Sequence, residues 1–131
     1  GGVCFVDPSP TPASTLCRRY LITVEQFSDV LAQESGREVG NDVDFGEVYR
    51  RGDAVVGPGK YDRALLIDEV DDVPVLTFTT SAPVEALEFN PPSEAYAETI
   101  VHGLVQTHGL NHTEARTYIS ERWVAWEQWT T

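Results

Sequence analysis

The chain has 131 residues, the length of one ordinary domain; 41% of them are hydrophobic, enough for a buried core, and the formal net charge is −12. This acidity argues against binding to nucleic-acid backbones or anionic membranes, because both need clustered Lys and Arg side chains. The apolar runs are too short to span a bilayer and the first residues lack a signal-peptide pattern, so we expect a single cytoplasmic domain over residues 1–131.

The first 22 residues are predicted to form two short strands, at 3–6 and 17–22, where β-branched and aromatic residues gather. Between them, the prolines of 7–12 indicate a loop, because proline cannot donate a hydrogen bond to a strand ladder. Each strand holds one of the two cysteines, Cys4 and Cys17. These can form a disulfide between neighbouring strands or remain separate thiols in a reducing compartment, and they are too few for a disulfide scaffold or a four-cysteine zinc site.

A helix is predicted over residues 24–33. Thr23 is its N-cap, because the hydroxyl can accept from backbone N–H groups and Gln26 stands three residues on, as a capping box requires. Gly36 ends the helix, so Glu34 is expected at or just past its C-terminus. The apolar residues at helical spacing are Phe27, Val30 and Leu31.

The middle of the chain predicts a second, short helical segment and a β-hairpin. Apolar residues recur at helical spacing over 42–51. The hairpin has strands at 61–70 and 73–79, joined by a turn at Asp71-Asp72. Three consecutive apolar residues at 65–67 predict that the first strand is buried on both faces.

Two further helices are predicted after an irregular connection at 83–92. Ser93 caps the first and Gly109 ends it, while Asn111 and Glu114 form a capping box that begins the second. Their predicted apolar faces comprise Tyr96, Ile100, Leu104 and Val105 in the first helix and Ala115, Tyr118 and Ile119 in the second. A hairpin combined with separate helices places the fold in the α+β class.

Three histidines, His102, His108 and His112, lie close together in the sequence without forming a metal-binding pattern. Positions i and i+4 share a face only within one helix, and Gly109 separates His108 from His112. No cysteine accompanies them, so we interpret them as solvated histidines and expect neither a metal nor another cofactor. A zinc-dependent deacetylase or protease is disfavoured on the same ground.

The tryptophans Trp123, Trp126 and Trp129 recur at every third position near the C-terminus. On a helix they would form one stripe of large apolar area. This tryptophan stripe can pack against its own domain or form an interface with a partner or a second subunit, since aromatic anchors are favoured at interfaces.

Glu34 is the carboxylate whose position favours chemistry. A carboxylate at a helix C-terminus meets the negative end of the helix dipole, which favours the protonated form and suits a general acid–base. Gly36 gives the backbone freedom to turn the side chain inward. An exposed surface glutamate is the alternative.

Two segments together resemble the γ-glutamylcyclotransferase-like superfamily. The first is Asn-Pro-Pro-Ser-Glu-Ala-Tyr at 90–96, followed by Gly103 and His-Gly-Leu at 108–110; it is similar to the family's Pro-Ser-x-x-Tyr helix. The second is Leu-Ala-Gln-Glu-Ser-Gly at 31–36, which is similar to the family's Leu-Asp-x-x-Glu-Gly segment. The resemblance covers roughly residues 17–110 and implies a small, mostly antiparallel β-barrel or sheet with flanking helices.

The resemblance implies an enzyme that releases an amine from a γ-glutamyl amide with formation of 5-oxoproline. The substrate's own α-amine attacks its γ-carbonyl, so the enzyme mainly orients the substrate and moves one proton. Glu34 matches the family's catalytic glutamate, and Tyr96 and Ser93 match substrate-binding positions. We therefore expect Glu34 to be buried and to share a cavity with Tyr96, without a metal.

The resemblance also implies what the chain lacks. Family members begin with a strand and a Tyr-Gly-Ser loop whose N–H groups hold the γ-glutamyl group, and neither is found here, so the chain is expected to be N-terminally incomplete relative to the family. Another chain could supply the strand, or the fold could serve as a non-catalytic binding or assembly module that uses the tryptophan stripe. An open sheet edge invites self-association, so we expect at least a homodimer.

Overall fold

The computed structural model describes residues 5–9, 14–88, 90 and 92–122. Contacts divide them into two compact units: a sheet unit, from 5–9 and 19–86, and a helical unit, from 14–18, 87–88, 90 and 92–122. In chain order the elements are α1 (Val24–Glu34), α2 (Gly46–Arg51), β1 (Asp53–Val55), β2 (Arg63–Val70), β3 (Val73–Thr79), a 3-10 turn (Val84–Ala86), α3 (Glu94–His108) and α4 (His112–Ser120).

The first helix, α1, confirms the predicted element and its capping box. The Thr23 hydroxyl accepts from the Gln26 N–H at 3.1 Å, and the Thr23 N–H donates to the Gln26 side chain at 2.8 Å. Gly36 has a φ of +71°, a left-handed conformation that turns the chain out of the helix. The buried face comprises Ser28, Leu31 and Ala32, whereas the predicted Val30 is 40% exposed.

The sheet has the order β1-β2-β3 and is antiparallel throughout. The hairpin is confirmed, and the turn residues Asp71 and Asp72 both have positive φ angles, of 52° and 63°. The register shifts between Leu66 and Asp68, and Ile67 is 53% exposed. The prediction that 65–67 is buried on both faces is therefore wrong at Ile67, because the irregularity turns the outer half of β2 away from the core.

The core of the sheet unit joins α1, α2 and the sheet. Leu31 packs with Phe45 and Val48, two of the apolar residues of the predicted 42–51 segment, of which only Gly46–Arg51 is helical. Aromatic side chains complete it: the ring centroids of Tyr61 and Phe78 are 5.0 Å apart in an edge-to-face arrangement.

The predicted N-terminal strands are not found in the described residues. Residues 17–22 have no regular structure and Leu21 is 89% exposed, and residues 5 and 6 are not in a strand. Strand propensity expresses itself only where a neighbouring strand supplies packing and hydrogen bonds. The described strands form an open three-stranded sheet with flanking helices, which gives the α+β class; closure into a barrel is not seen among them.

The helical unit pairs α3 with α4. The Ser93 hydroxyl caps α3 by accepting from the Tyr96 N–H at 3.1 Å, and Gly109 ends the helix with a φ of +69°. The predicted capping box of Asn111 and Glu114 begins α4. The buried residues of the pair are Ala97, Val101 and Leu104 in α3 and Ala115 and Ile119 in α4.

The buried face of α3 is rotated by about one residue from the predicted one. Ala97 and Val101 take the places that Tyr96 and Ile100 were expected to fill, and Ile100 is 36% exposed. A small residue at the contact lets two helices approach closely, so the buried face of a helix cannot be predicted from the size of its side chains alone.

The predictions for the tryptophans and for the two cysteines concern residues near the ends of the chain. The tryptophan stripe and Cys4 lie outside the described residues, while Cys17 has a free, exposed thiol. Among the described helices, none combines the length and the apolar character that crossing a membrane requires.

We expect Leu31→Ala to lower the free energy of unfolding by about 2–5 kcal/mol, because it leaves a cavity in the core of the sheet unit. Leu21→Ala is the matched control: the same side chain is removed from an exposed position, and the effect should stay within about 0.5 kcal/mol. Urea unfolding followed by circular dichroism measures both, and equal losses would contradict the described core.

We expect Asp72→Gly to stabilise the protein by about 0.5 kcal/mol, because glycine adopts the left-handed turn conformation without the steric cost of a side chain. Asp68→Gly, in β2 a few residues away, should instead destabilise by about 0.5–1 kcal/mol, since glycine weakens a strand. Thermal unfolding of the two variants tests the turn, and effects of the same sign would count against it.

Candidate functional site

The C-terminus of α1 packs closely against the loop at 57–61. The Ser35 hydroxyl donates to the backbone carbonyl of Tyr61 at 3.1 Å. Gly59 has a φ of +113°, and a Cβ atom there would lie 2.8 Å from the Ser35 carbonyl oxygen. Both the conformation and the close approach therefore require glycine at 59.

The same loop encloses the side chain of Arg37. The backbone N–H of Arg37 donates to the Ala32 carbonyl at 2.8 Å, which fixes the residue directly after the helix. A Cβ atom on Gly57 would lie 2.9 Å from Cζ of Arg37 and 3.2 Å from Nη2, so the loop backbone covers the guanidinium. Nε and Nη2 are buried and have no hydrogen-bond partner. Leaving one such donor unsatisfied costs about 1–3 kcal/mol, and more when the group is charged.

Glu34 is the last residue of α1, and its side chain is exposed. The expectation of a buried acid is therefore wrong. The reason is the phase of the helix: Ser28, Leu31 and Ala32 face the core, and Ser35 continues that face with its bond to Tyr61. Position 34 consequently projects to the outer side, and the turn at Gly36 brings Arg37 inward instead.

Ser93 and Tyr96 lie at the start of α3, in the helical unit. Ser93 is exposed and serves as the N-cap, while Tyr96 is half-buried. Glu34 belongs to the sheet unit, so neither unit by itself contains both Glu34 and Tyr96. Their shared cavity stays a prediction.

A surface cleft of about 510 Å³ lies on the sheet unit, and none of the predicted site residues lines it. Its charged side chains are already paired with one another. Arg63 forms an ion pair with Asp53, and Arg51 lies 3.8 Å from Glu47. Because these groups neutralise each other in solvent, the cleft presents no unpaired charge to a ligand.

The helical unit has a second cleft, of about 340 Å³, lined by Glu98, His102 and His112 together with two valines. His112 lies 3.2 Å from the Glu98 carboxylate, which also accepts from Arg116 at 2.8 Å. In the part of the chain that the structure describes, no group of three His, Cys, Asp or Glu side chains is arranged to hold a metal ion. The cleft is best described as the groove between α3 and α4, and these polar contacts link the two helices.

Asp62, which follows the loop, has a pKa below its usual value. Burial raises this pKa, but the hydroxyl and the backbone N–H of Ser81 both donate to the carboxylate, the latter at 2.7 Å, and together with the Asp62 backbone N–H and the positive charge of Arg63 they outweigh it. The pair ties the end of β3 to the loop. Sequence reasoning identified neither this pair nor Arg37, since each depends on residues distant in the chain.

Comparisons with known proteins find a similarity to part of a longer protein. No family model matches the chain, and no solved structure matches it. Histone deacetylase 5 of Arabidopsis thaliana is 34% identical over 137 aligned positions, which cover 92% of this chain and 21% of that protein. The chain thus spans about a fifth of the length of the curated relative it matches.

We expect Ser81→Ala to lower the melting temperature at pH 7, and this deficit relative to the wild type should shrink as the pH falls through the pKa that Asp62 has in the folded state. A carboxyl group whose pKa is lower in the folded state than in the unfolded state stabilises the fold at pH values above its unfolded-state pKa, and this contribution is lost on acidification. Thermal unfolding between about pH 7 and pH 2 measures the deficit. In an Asp62→Asn background the same substitution should show no pH-dependent deficit, and a deficit that persists there would contradict the assignment.

Proposed function

We propose that the chain is a γ-glutamylcyclotransferase-like enzyme that acts on a small γ-glutamyl amide, with Glu34 as its general acid–base. The observation that carries the proposal is that a carboxylate and a guanidinium, of Glu34 and Arg37, stand together at the C-terminal end of α1. The Glu34 carboxylate is open to solvent and hence to a substrate, and three residues later an enclosed guanidinium has two unpartnered nitrogens. A carboxylate and a guanidinium are complementary to the amine and the carboxylate of a γ-glutamyl group.

The reaction needs one proton carrier. The uncharged α-amine of the substrate attacks its γ-carbonyl carbon, and Glu34 takes the proton that the attacking nitrogen loses. The tetrahedral intermediate then collapses: the bond to the leaving amine breaks, and Glu34 returns the proton to that nitrogen. The products are 5-oxoproline and a free amine. Because the attack is intramolecular, orientation of the substrate supplies much of the rate enhancement.

The exposure of Glu34 changes how the site must work. An acid in a closed cavity gains catalytic strength from exclusion of water, and the described residues do not provide this at position 34. In our proposal, donors to the developing oxyanion come from a further polypeptide segment, as the family resemblance implies, and Ser93 and Tyr96 are the substrate-binding residues that the same resemblance implies.

A second candidate is a non-catalytic binding or assembly module. The similarity to a histone deacetylase supports it, because nearly the whole chain corresponds to about a fifth of a much longer protein. A segment carried in this way within a larger enzyme can serve attachment or recognition rather than the named reaction. The exposed position of Glu34 agrees with this alternative as well.

We expect the protein to release 5-oxoproline from one or more γ-glutamyl amines, and Glu34→Gln to lower the rate at least about 100-fold, since general acid–base catalysis contributes a factor of that order or more. Glu38→Gln is the matched control, because this exposed glutamate lies just past the same helix end and should leave the rate unchanged. Product is quantified by mass spectrometry.

The outcomes separate the two candidates. Absence of turnover by the wild type with a series of leaving amines would favour the binding module. Turnover that survives Glu34→Gln would retain the enzyme and remove Glu34 from its mechanism.

A further inference from the structure

The guanidinium of Arg37 differs from other cations of the sheet unit because two of its nitrogens are buried and have no hydrogen-bond partner. Arg50, Arg51 and Arg63 each form an ion pair with a carboxylate. In Arg37, by contrast, Nε and Nη2 are buried without a hydrogen-bond partner. A buried polar group left unpaired in a folded protein calls for an explanation, and an ordered water or a bound ligand can supply the missing partner.

The two unpartnered nitrogens are the pair that binds a carboxylate side-on. Nε and the nearer terminal nitrogen of a guanidinium present two parallel N–H groups, which match the two oxygens of a carboxylate. Nη1 is not part of this pair and lies nearest to Gly57, where a Cβ atom would be 2.5 Å from Nη1 and 3.2 Å from Nη2. The edge without hydrogen-bond partners is thus the edge with bidentate geometry.

The surroundings hold the guanidinium in one place. The backbone N–H of Arg37 is bonded to Ala32, and Ser35 is bonded to Tyr61. Gly57 and Gly59 approach this segment closely because they have no side chains. A pre-positioned guanidinium loses little conformational entropy when it binds, which favours recognition over a merely structural role.

We propose that Arg37 is a binding residue for the carboxylate of a small ligand, taken side-on by Nε and Nη2. The proposal rests on the proposed function, because it assigns Arg37 to the α-carboxylate of the γ-glutamyl group. Since Gly57 covers the guanidinium, the ligand enters when the 57–61 loop moves aside. The ligand class is therefore a small amino-acid derivative with a free carboxylate.

Binding of 5-oxoproline and of L-glutamine, each compared with its carboxamide analogue, tests the proposal by ligand-observed NMR and calorimetry. We expect the two carboxylates to bind the wild type, and the carboxamides to bind at least about 10-fold more weakly. Arg37→Met should remove this preference. Arg51→Met is the matched control: that side chain is 71% exposed and should leave the preference intact.

The unfolding temperature of Arg37→Met separates a binding role from a structural one, since a structural role predicts a lower temperature. If Arg37 only binds ligand, removing its buried, unpaired charge should leave the unfolding temperature unchanged or raise it, so lost ligand binding in a stable variant supports recognition. Gly57→Ala provides a second variant, since its methyl group displaces the guanidinium while keeping the charge, and it should weaken carboxylate binding.

The result is independent of catalysis. Carboxylate preference that depends on Arg37 supports the proposal even if no γ-glutamyl amide is turned over. Equal binding by the wild type and Arg37→Met, or no carboxylate preference in the wild type, overturns it even if turnover is observed.

Discussion

The contact between the end of α1 and the loop at 57–61 determines what the sheet unit can do. Ser35 is bonded to Tyr61, whose ring lies in the core, and Gly59 allows the backbones to meet. This contact fixes the rotation of α1 about its axis. As a result Glu34 faces solvent, while the chain reverses at Gly36 and carries Arg37 under the loop.

Features of the fold that depend on neighbouring residues could be predicted from the sequence. The capping box at Thr23, the N-cap at Ser93 and the left-handed end at Gly109 each arise from hydrogen bonds or backbone angles within a few residues. The hairpin around Asp71-Asp72 is local in the same sense. These features set where elements begin and end, and they place Glu34 at the end of a helix as expected.

Features that depend on distant residues could not be predicted. The 17–22 segment has the composition of a strand but lies outside the sheet, and the faces of α1 and α3 differ from prediction at Val30 and Ile100. Which side of a helix is buried depends on what packs against it, and position 34 shows the consequence for the site. The enclosure of Arg37 likewise arises only because Gly57 is brought beside it by the fold.

The acidic character of the chain bears on how such a site would recognise its ligand. A net charge of −12 repels a carboxylate at long range, so diffusion of an anion toward the surface is not assisted. Recognition must then come from short-range interactions, which are strengthened where water is excluded. An enclosed guanidinium supplies this, whereas the exposed arginines Arg50 and Arg51 share the carboxylate of Glu47 and remain in solvent. A carboxylate ligand would therefore be selected at Arg37 by geometry rather than by the overall field.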